Sequence, residues 1–161
     1  MKLWNCSTLG RIASVAISSD GNYIVAGVDN FPNGSVLFFN KSSSKPMWNY
    51  TTNGPVFSVA ISSDGYYYCA GVFEDLPSQG RVLLFNKTSS TPMWFNITEE
   101  AVWSVSISSD GKYISAGTGS FLSKGQVLLF NKSSSIPLWE NTTAGVVGTV
   151  SISSNGEYIT A

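Results

Sequence analysis

Ser58-Val-Ala-Ile-Ser-Ser-Asp-Gly65 repeats Ser14–Gly21 residue for residue, and close variants stand at Ser104–Gly111 and Thr149–Gly156. Successive copies start 44, 46 and 45 residues apart. Within a copy the distances are fixed: Ser58 to Gly71 is 13 residues and Gly80 to Trp94 is 14, as in the neighbouring repeats. Trp4, Trp48, Trp94 and Trp139 each precede the next start by 10. All variation in length lies between Gly27 and Gly34, Gly71 and Gly80, and Gly117 and Gly125. A rigid frame is copied around one adjustable loop.

Each copy reads as four short strands. Strand a is Ser58–Ile61, and Asp64-Gly65 is the hairpin signal that turns it into strand b, Tyr67–Gly71. The variable loop follows, then strand c, Val82–Phe85. A polar turn and Pro92 lead into strand d around Met93-Trp94. Strand c does not alternate: Val36–Phe39, Val82–Phe85 and Val127–Phe130 are apolar at every position. A strand apolar on both faces must be covered on both, and no segment has the sustained helical period that would supply helices. The copies must cover one another. Four strands in about 45 residues predict an all-β chain of radially stacked, four-stranded antiparallel blades, a β-propeller. A solenoid, with its shorter coils, and a two-sheet sandwich are the competing architectures.

The expected divisions are 1–13 as the outer strand d of a preceding blade, repeats at 14–57, 58–103 and 104–148, and 149–161 as the start of a fourth. About three and a half blades fall short of the four that usually close a ring. Further repeats of a longer polypeptide, or a second copy, would have to complete it. Repeat sequence begins at residue 3, which leaves no room for a signal peptide.

Val59–Gly71 resembles strands a and b of WD-repeat propellers. Gly80–Trp94 is similar to the strand c–d unit of quinoprotein-like (PQQ-type) propellers, and the mixture is similar to propellers of archaeal surface proteins. The resemblance implies that Trp4, Trp48, Trp94 and Trp139 dock between blades. It implies no activity, because the departures are specific. Phe-Asn stands where a WD repeat ends strand c with Trp-Asp, and the chain has no histidine. The adjacent cysteines and calcium carboxylates of a quinoprotein dehydrogenase are missing; Cys6 and Cys69 are predicted to lie two blades apart, too far for a disulfide. No catalytic residue, cofactor or metal site is assigned.

The chain is 43% hydrophobic and only 12% charged, with net charge −1. It can bury a core, and it lacks the basic surface of a nucleic-acid binder. No apolar run is long enough to span a membrane as a helix. Eight Asn-x-Ser/Thr sequons are present, at Asn5, Asn33, Asn40, Asn49, Asn86, Asn96, Asn131 and Asn141. Asn40, Asn86 and Asn131, one event copied three times, are the candidate glycosylation sites. Low charge and dense sequons point to a cell-surface or extracellular protein, a cytoplasmic propeller being the alternative.

The b–c loops alone vary, and they hold apolar residues unexpected in exposed loops: Phe31, Phe73, Leu76, Phe121 and Leu122. Glu74 and Asp75 in one such loop, with Glu99 and Glu100 in the d–a loop of the same repeat, form a predicted acidic cluster. The resulting expectation is a non-catalytic scaffold that binds a protein or glycan through this face. The alternatives are a fragment of a quinoprotein-like enzyme propeller and a structural surface-layer repeat.

Overall fold

A computed structural model describes residues 4–74, 79–120 and 123–161. It contains three four-stranded antiparallel sheets and one two-stranded sheet, each strand pairing with the next in sequence. The first sheet is β1 (Arg11–Ile17), β2 (Tyr23–Asp29), β3 (Ser35–Asn40) and β4 (Trp48–Thr51). The second is β5 (Val56–Ile61), β6 (Tyr67–Phe73), β7 (Gly80–Asn86) and β8 (Trp94–Thr98). The third is β9 (Val102–Ile107), β10 (Tyr113–Thr118), β11 (Gly125–Asn131) and β12 (Trp139–Thr143), and β13 (Ser151–Ile152) pairs with β14 (Ile159–Thr160). The sheets close no barrel; they are the blades of an unclosed β-propeller.

Strand c explains the stacking. Leu83 and Phe85 of β7 pack with Val25, Val36 and Phe38 of the first blade, whereas Val82 and Leu84 pack with Ile114, Leu128 and Phe130 of the third. The period-2 geometry of a strand sends alternate side chains to opposite faces, so the middle blade has a core on each side. Innermost strands approach closely because strand b carries Ala-Gly where the next blade meets it. A Cβ on Gly71 would lie 2.7 Å from Val102 Cγ1, and one on Gly27 would lie 2.8 Å from Val56 Cγ1.

The recurrent serines join blades. Ser14 Oγ accepts a hydrogen bond from Val59 N–H at 3.1 Å, Ser58 Oγ from Val105 at 3.0 Å and Ser104 Oγ from Val150 at 3.0 Å. In the Ser-Ser-Asp-Gly turn the first serine is local: Ser62 Oγ donates to Asp64 Oδ1 and accepts from Tyr67 N–H. The second crosses to the next blade through its backbone, Ser19 N–H to Ser63 C=O, Ser63 to Ser109 and Ser109 to Ser154.

Several strand limits differ from the expected ones: in the second blade strand a begins at Val56, strand b continues to Phe73 and strand c runs from Gly80 to Asn86. Residues 4–10 form no strand, although Trp4 still reaches across to the first blade. Strand d begins at the tryptophan and continues to Thr98 in the second blade. There Phe95 and Ile97 point outward, 49% and 50% exposed, so the segment hides no apolar alternation that a sequence reading could catch.

Candidate functional site: the loop-variable face

Hairpin register fixes which ends of the strands share a face. In the first blade Val28 pairs with Ser35 at one end and Tyr23 with Asn40 at the other. In the second, Phe73 pairs with Gly80 and Tyr67 with Asn86. Phe31 and Phe73 therefore lie at the opposite end of strand c from Asn40 and Asn86, roughly 20 Å away at ~3.3 Å per residue. The d–a loops join the b–c loops: Gly34 N–H donates to Gly54 C=O, Phe73 N–H to Pro55 C=O and Gly119 N–H to Ala101 C=O. The a–b and c–d turns meet at the other end, where Lys41, Lys87 and Lys132 N–H donate to Asn22, Tyr66 and Lys112 C=O.

A β-bulge opens strand a in all three complete blades. Register shifts between Ile12 and Ser14, between Val56 and Ser58, and at the Val102–Ser104 step opposite Gly117 and Thr118. The bulged residues are Ala13, Phe57 and Trp103. A bulge re-aims a side chain out of the strict alternation. Phe57 and Trp103 rings stack across the blade boundary, 5.0 Å between centroids and 1° from parallel, and Phe57 also stacks on Phe73 at 6.1 Å. Trp103 Nε1 donates to Gly119 C=O at 2.7 Å, which ties it to the next b–c loop. The repeat position of these rings holds Ala13 in the first copy and Gly148 in the fourth. Sequence reasoning missed Phe57 and Trp103 because both stand just before the expected start of strand a; the available signal was a position that differs in every copy, Ala13, Phe57, Trp103 and Gly148.

Phe31 is 62% exposed, whereas Phe73 is half-buried in the aromatic group. Asp75, Leu76, Phe121 and Leu122 lie outside the described residues. Glu74 is drawn into the crevice between the first two blades, where its Oε1 is 3.0 Å from Arg81 Nε and where Tyr50, Thr52 and Asn53 form the wall. Arg81 also lies over the Phe95 ring at 5.2 Å. Glu99 and Glu100 line a different cavity with Ser123 and Lys124 of the third blade, and Ser123 Oγ donates to Glu100 Oε1 at 2.6 Å. The described carboxylates are divided between two interblade crevices. Glu74 faces the crevice toward the first blade and Glu100 bonds Ser123 of the third, which separates these two acids of one repeat.

Trp4, Trp48 and Trp94 lie on the following blade. Trp4 stacks on Phe39 at 5.6 Å and donates Nε1–H to Lys41 C=O; Trp94 packs on Phe130 at 5.3 Å and donates to Lys132 C=O at 2.9 Å. Trp48 stacks on Phe85 at 5.6 Å, but its buried Nε1–H finds no acceptor among the described residues. Tyr68 stands where the other blades have isoleucine. It stacks on Trp48 at 5.0 Å, and its hydroxyl donates to Asn86 C=O at 2.6 Å. Burial raises the Tyr68 hydroxyl pKa above the ordinary tyrosine value. Trp139 is 43% exposed.

On the opposite face the sequon asparagines make local turns. Asn40 Oδ1 accepts from both the N–H and the hydroxyl of Ser42, Asn86 Oδ1 from those of Thr88 and Asn131 Oδ1 from those of Ser133. The Asn-x-Ser/Thr spacing thus has a structural use in each copy: an Asx turn needs an acceptor side chain two residues before the group it holds. Asn96 Nδ2 is engaged with Ser135 C=O.

Cys6 is exposed and Cys69 buried, both unpaired, and no group of three or more potential metal ligands occurs among the described residues. Burial pushes the Cys69 thiol up to about 12, leaving it protonated and unreactive at neutral pH. No helix among the described residues is long and apolar enough to cross a membrane.

The WD domain, G-beta repeat family matches residues 95–131, from strand d of the second blade through strand c of the third. No curated protein matches the sequence. Among solved structures, the chain is similar to Kuenenia stuttgartiensis hydrazine synthase, with a TM-score of 0.74 at 14% identity over 95% of this chain. It spans 42% of the length of that chain. At such identity the likeness is one of fold. Matches extend to 745 solved chains, and a shared fold by itself carries no single activity.

Proposed function

We propose that this chain is a propeller segment of a larger assembly and that it acts there as a non-catalytic scaffold, binding a protein or glycan through its loop-variable face. The observation that carries this reading is the bulge at the start of strand a. It delivers Phe57 and Trp103 to the loop face from a strand position that holds a different residue in every copy, Ala13, Phe57, Trp103 and Gly148. A structural role would favour one residue throughout; a recognition role leaves the position free to differ.

For the setting of the scaffold, the likeness to hydrazine synthase supports an enzyme's propeller more than a free-standing surface module. The quinoprotein-like alternative belongs here as well, without catalytic residues in this segment. A cell-surface location with glycans at Asn40, Asn86 and Asn131 is a further part of the proposal that rests on sequence alone.

Carbohydrate arrays and immobilised candidate proteins, probed with the wild type and with Phe31→Ser and Phe73→Ser, test the scaffold reading. The expected result is a ligand whose binding weakens at least tenfold in either variant while the fold is retained. Ligands that bind both variants as tightly as the wild type would overturn the assignment of this face. Saturable binding of pyrroloquinoline quinone by the same protein would instead support the quinoprotein-like reading.

A further inference from the structure

Three blade interfaces inside this chain are built from the same parts, and one set of those parts is left over, half at each end. The a–b turn glycine is a socket. Gly65, Gly111 and Gly156 adopt φ of 67°, 69° and 76°, and each abuts the tyrosine that opens strand b of the preceding blade. A Cβ on Gly65 would lie 2.5 Å from Tyr23 Cδ2, one on Gly111 equally near Tyr67, and one on Gly156 would meet Tyr113. A lysine after strand c covers the same ring: Lys87 Nζ is 5.2 Å from the Tyr23 centroid and Lys132 Nζ 4.6 Å from that of Tyr67. The fourth socket, Gly21, has nothing within 4 Å of its Cβ position. The fourth tyrosine, Tyr158, is 72% exposed.

The hydrogen bonds leave matching remainders. Serine or threonine at the start of strand a accepts from the valine N–H of the next blade, so Thr149 Oγ1 is the acceptor at one end and Val15 N–H the donor at the other. The turn ladder that runs from Ser19 to Ser154 likewise leaves Ser154 N–H as donor and Ser19 C=O as acceptor. On the first blade, Trp4 already lies on the outer strands through Phe39. The inner strand is what stays open, with Val15 65% and Ile17 61% exposed, although the corresponding Val59 and Val105 are buried. An occupant of this open half needs strands a and b only. β13 and β14 are such a pair.

We infer that the first blade of this chain is a docking surface for β13–β14 of a second copy, head to tail. Tyr158 of one copy enters the Gly21 socket of the other under Lys41, Val15 N–H donates to Thr149 Oγ1, and Ser154 N–H donates to Ser19 C=O. The contact is heterologous: two different surfaces meet, so it propagates into a ring if the rotation closes and into an open chain if it does not. It uses the inner strands and the turn face, and it is independent of ligand binding at the loop-variable face.

Sedimentation of two complementary variants tests this. Gly21→Asn blocks the socket; asparagine tolerates the left-handed backbone, and the monomer has room for its Cβ. Tyr158→Ala removes the plug, which the monomer leaves in solvent. The wild type is expected to form dimers or larger species, each variant alone to stay monomeric, and an equimolar mixture to give a 1:1 pair, because only one intact interface can form. Val15→Lys serves as a second socket-side variant, and circular dichroism checks that each variant is folded. A wild type that stays monomeric at micromolar concentration would overturn the inference. So would folded single variants that associate as the wild type does, or a mixture that gives no pair.

Discussion

Val25, Cys69, Ser115 and Thr160 share one repeat position, and Ser115 is fully buried with a hydroxyl that meets no partner among the described residues. An unmatched buried hydroxyl costs its desolvation. Ser115→Ala should therefore stabilise the protein by about 1 kcal/mol in denaturant unfolding; a destabilisation would mean that the hydroxyl is satisfied. Charge at the turns has a different signature. The Asp20 and Asp110 carboxyls are held below the ordinary value of 3.8, chiefly by the hydroxyls of Ser18 and Ser108 and then by the N–H groups of Asn22 and Lys112. A depressed native pKa means that the folded state favours the ionised form. The stabilisation is complete above pH about 4 and is lost as pH falls through the lowered native values. Melting temperature followed downward from neutral pH should decline over that acid window, and the decline should be shallower in Asp110→Asn. The fixed period of the tryptophans is legible in the sequence, whereas their docking between blades is what the resemblance implies. Trp94→Ala should cost about 3–5 kcal/mol, the range for a large packed aromatic. Trp139→Ala, at a half-exposed ring, should cost well under half as much. Equal losses would show that Trp94 gains nothing from Phe130.

At the scale of the element, hairpins and strand c could be read directly. Asp-Gly marks the a–b turn, and an unbroken apolar run demands cover on both faces. The bulges could not be read, because inserting one residue leaves composition unchanged and alters only which way Phe57 and Trp103 point. Among the described residues, the carboxylates of the expected acidic cluster are divided for a related reason. Sequence places Glu74 and Glu100 in one repeat, but each is drawn to a different neighbouring blade. In the sequence the turn glycines read only as part of the Asp-Gly hairpin signal, whereas the fold adds a tyrosine of the adjacent blade. That second requirement can be measured. In the monomer Gly21→Ala meets only the φ strain; Gly111→Ala meets that strain and the Tyr67 ring. Gly111→Ala should be the more destabilising by at least about 1 kcal/mol, as expected for overpacking. Equal effects would show that the tyrosine yields freely.

For the molecule as a whole, contacts run within blades and between sequence neighbours, so stability is a sum of local terms rather than one global core. The second blade is covered on both sides, whereas β13–β14 is covered on one. Native-state hydrogen exchange should be slowest in β6 and β7 and fastest in β14, with the outer blades between them. Uniform protection across the sheets would show that the blades unfold as one unit. The repeated interface has a further consequence, in the currency of heredity rather than energy. Because every junction is specified by the same serine, glycine, tyrosine and tryptophan, duplicating or excising one whole repeat in the gene regenerates a junction that already works. Length can then change in steps of 44 to 46 residues without redesign, while a slip of one codon in the a–b turn would misplace the socket and the ladder together.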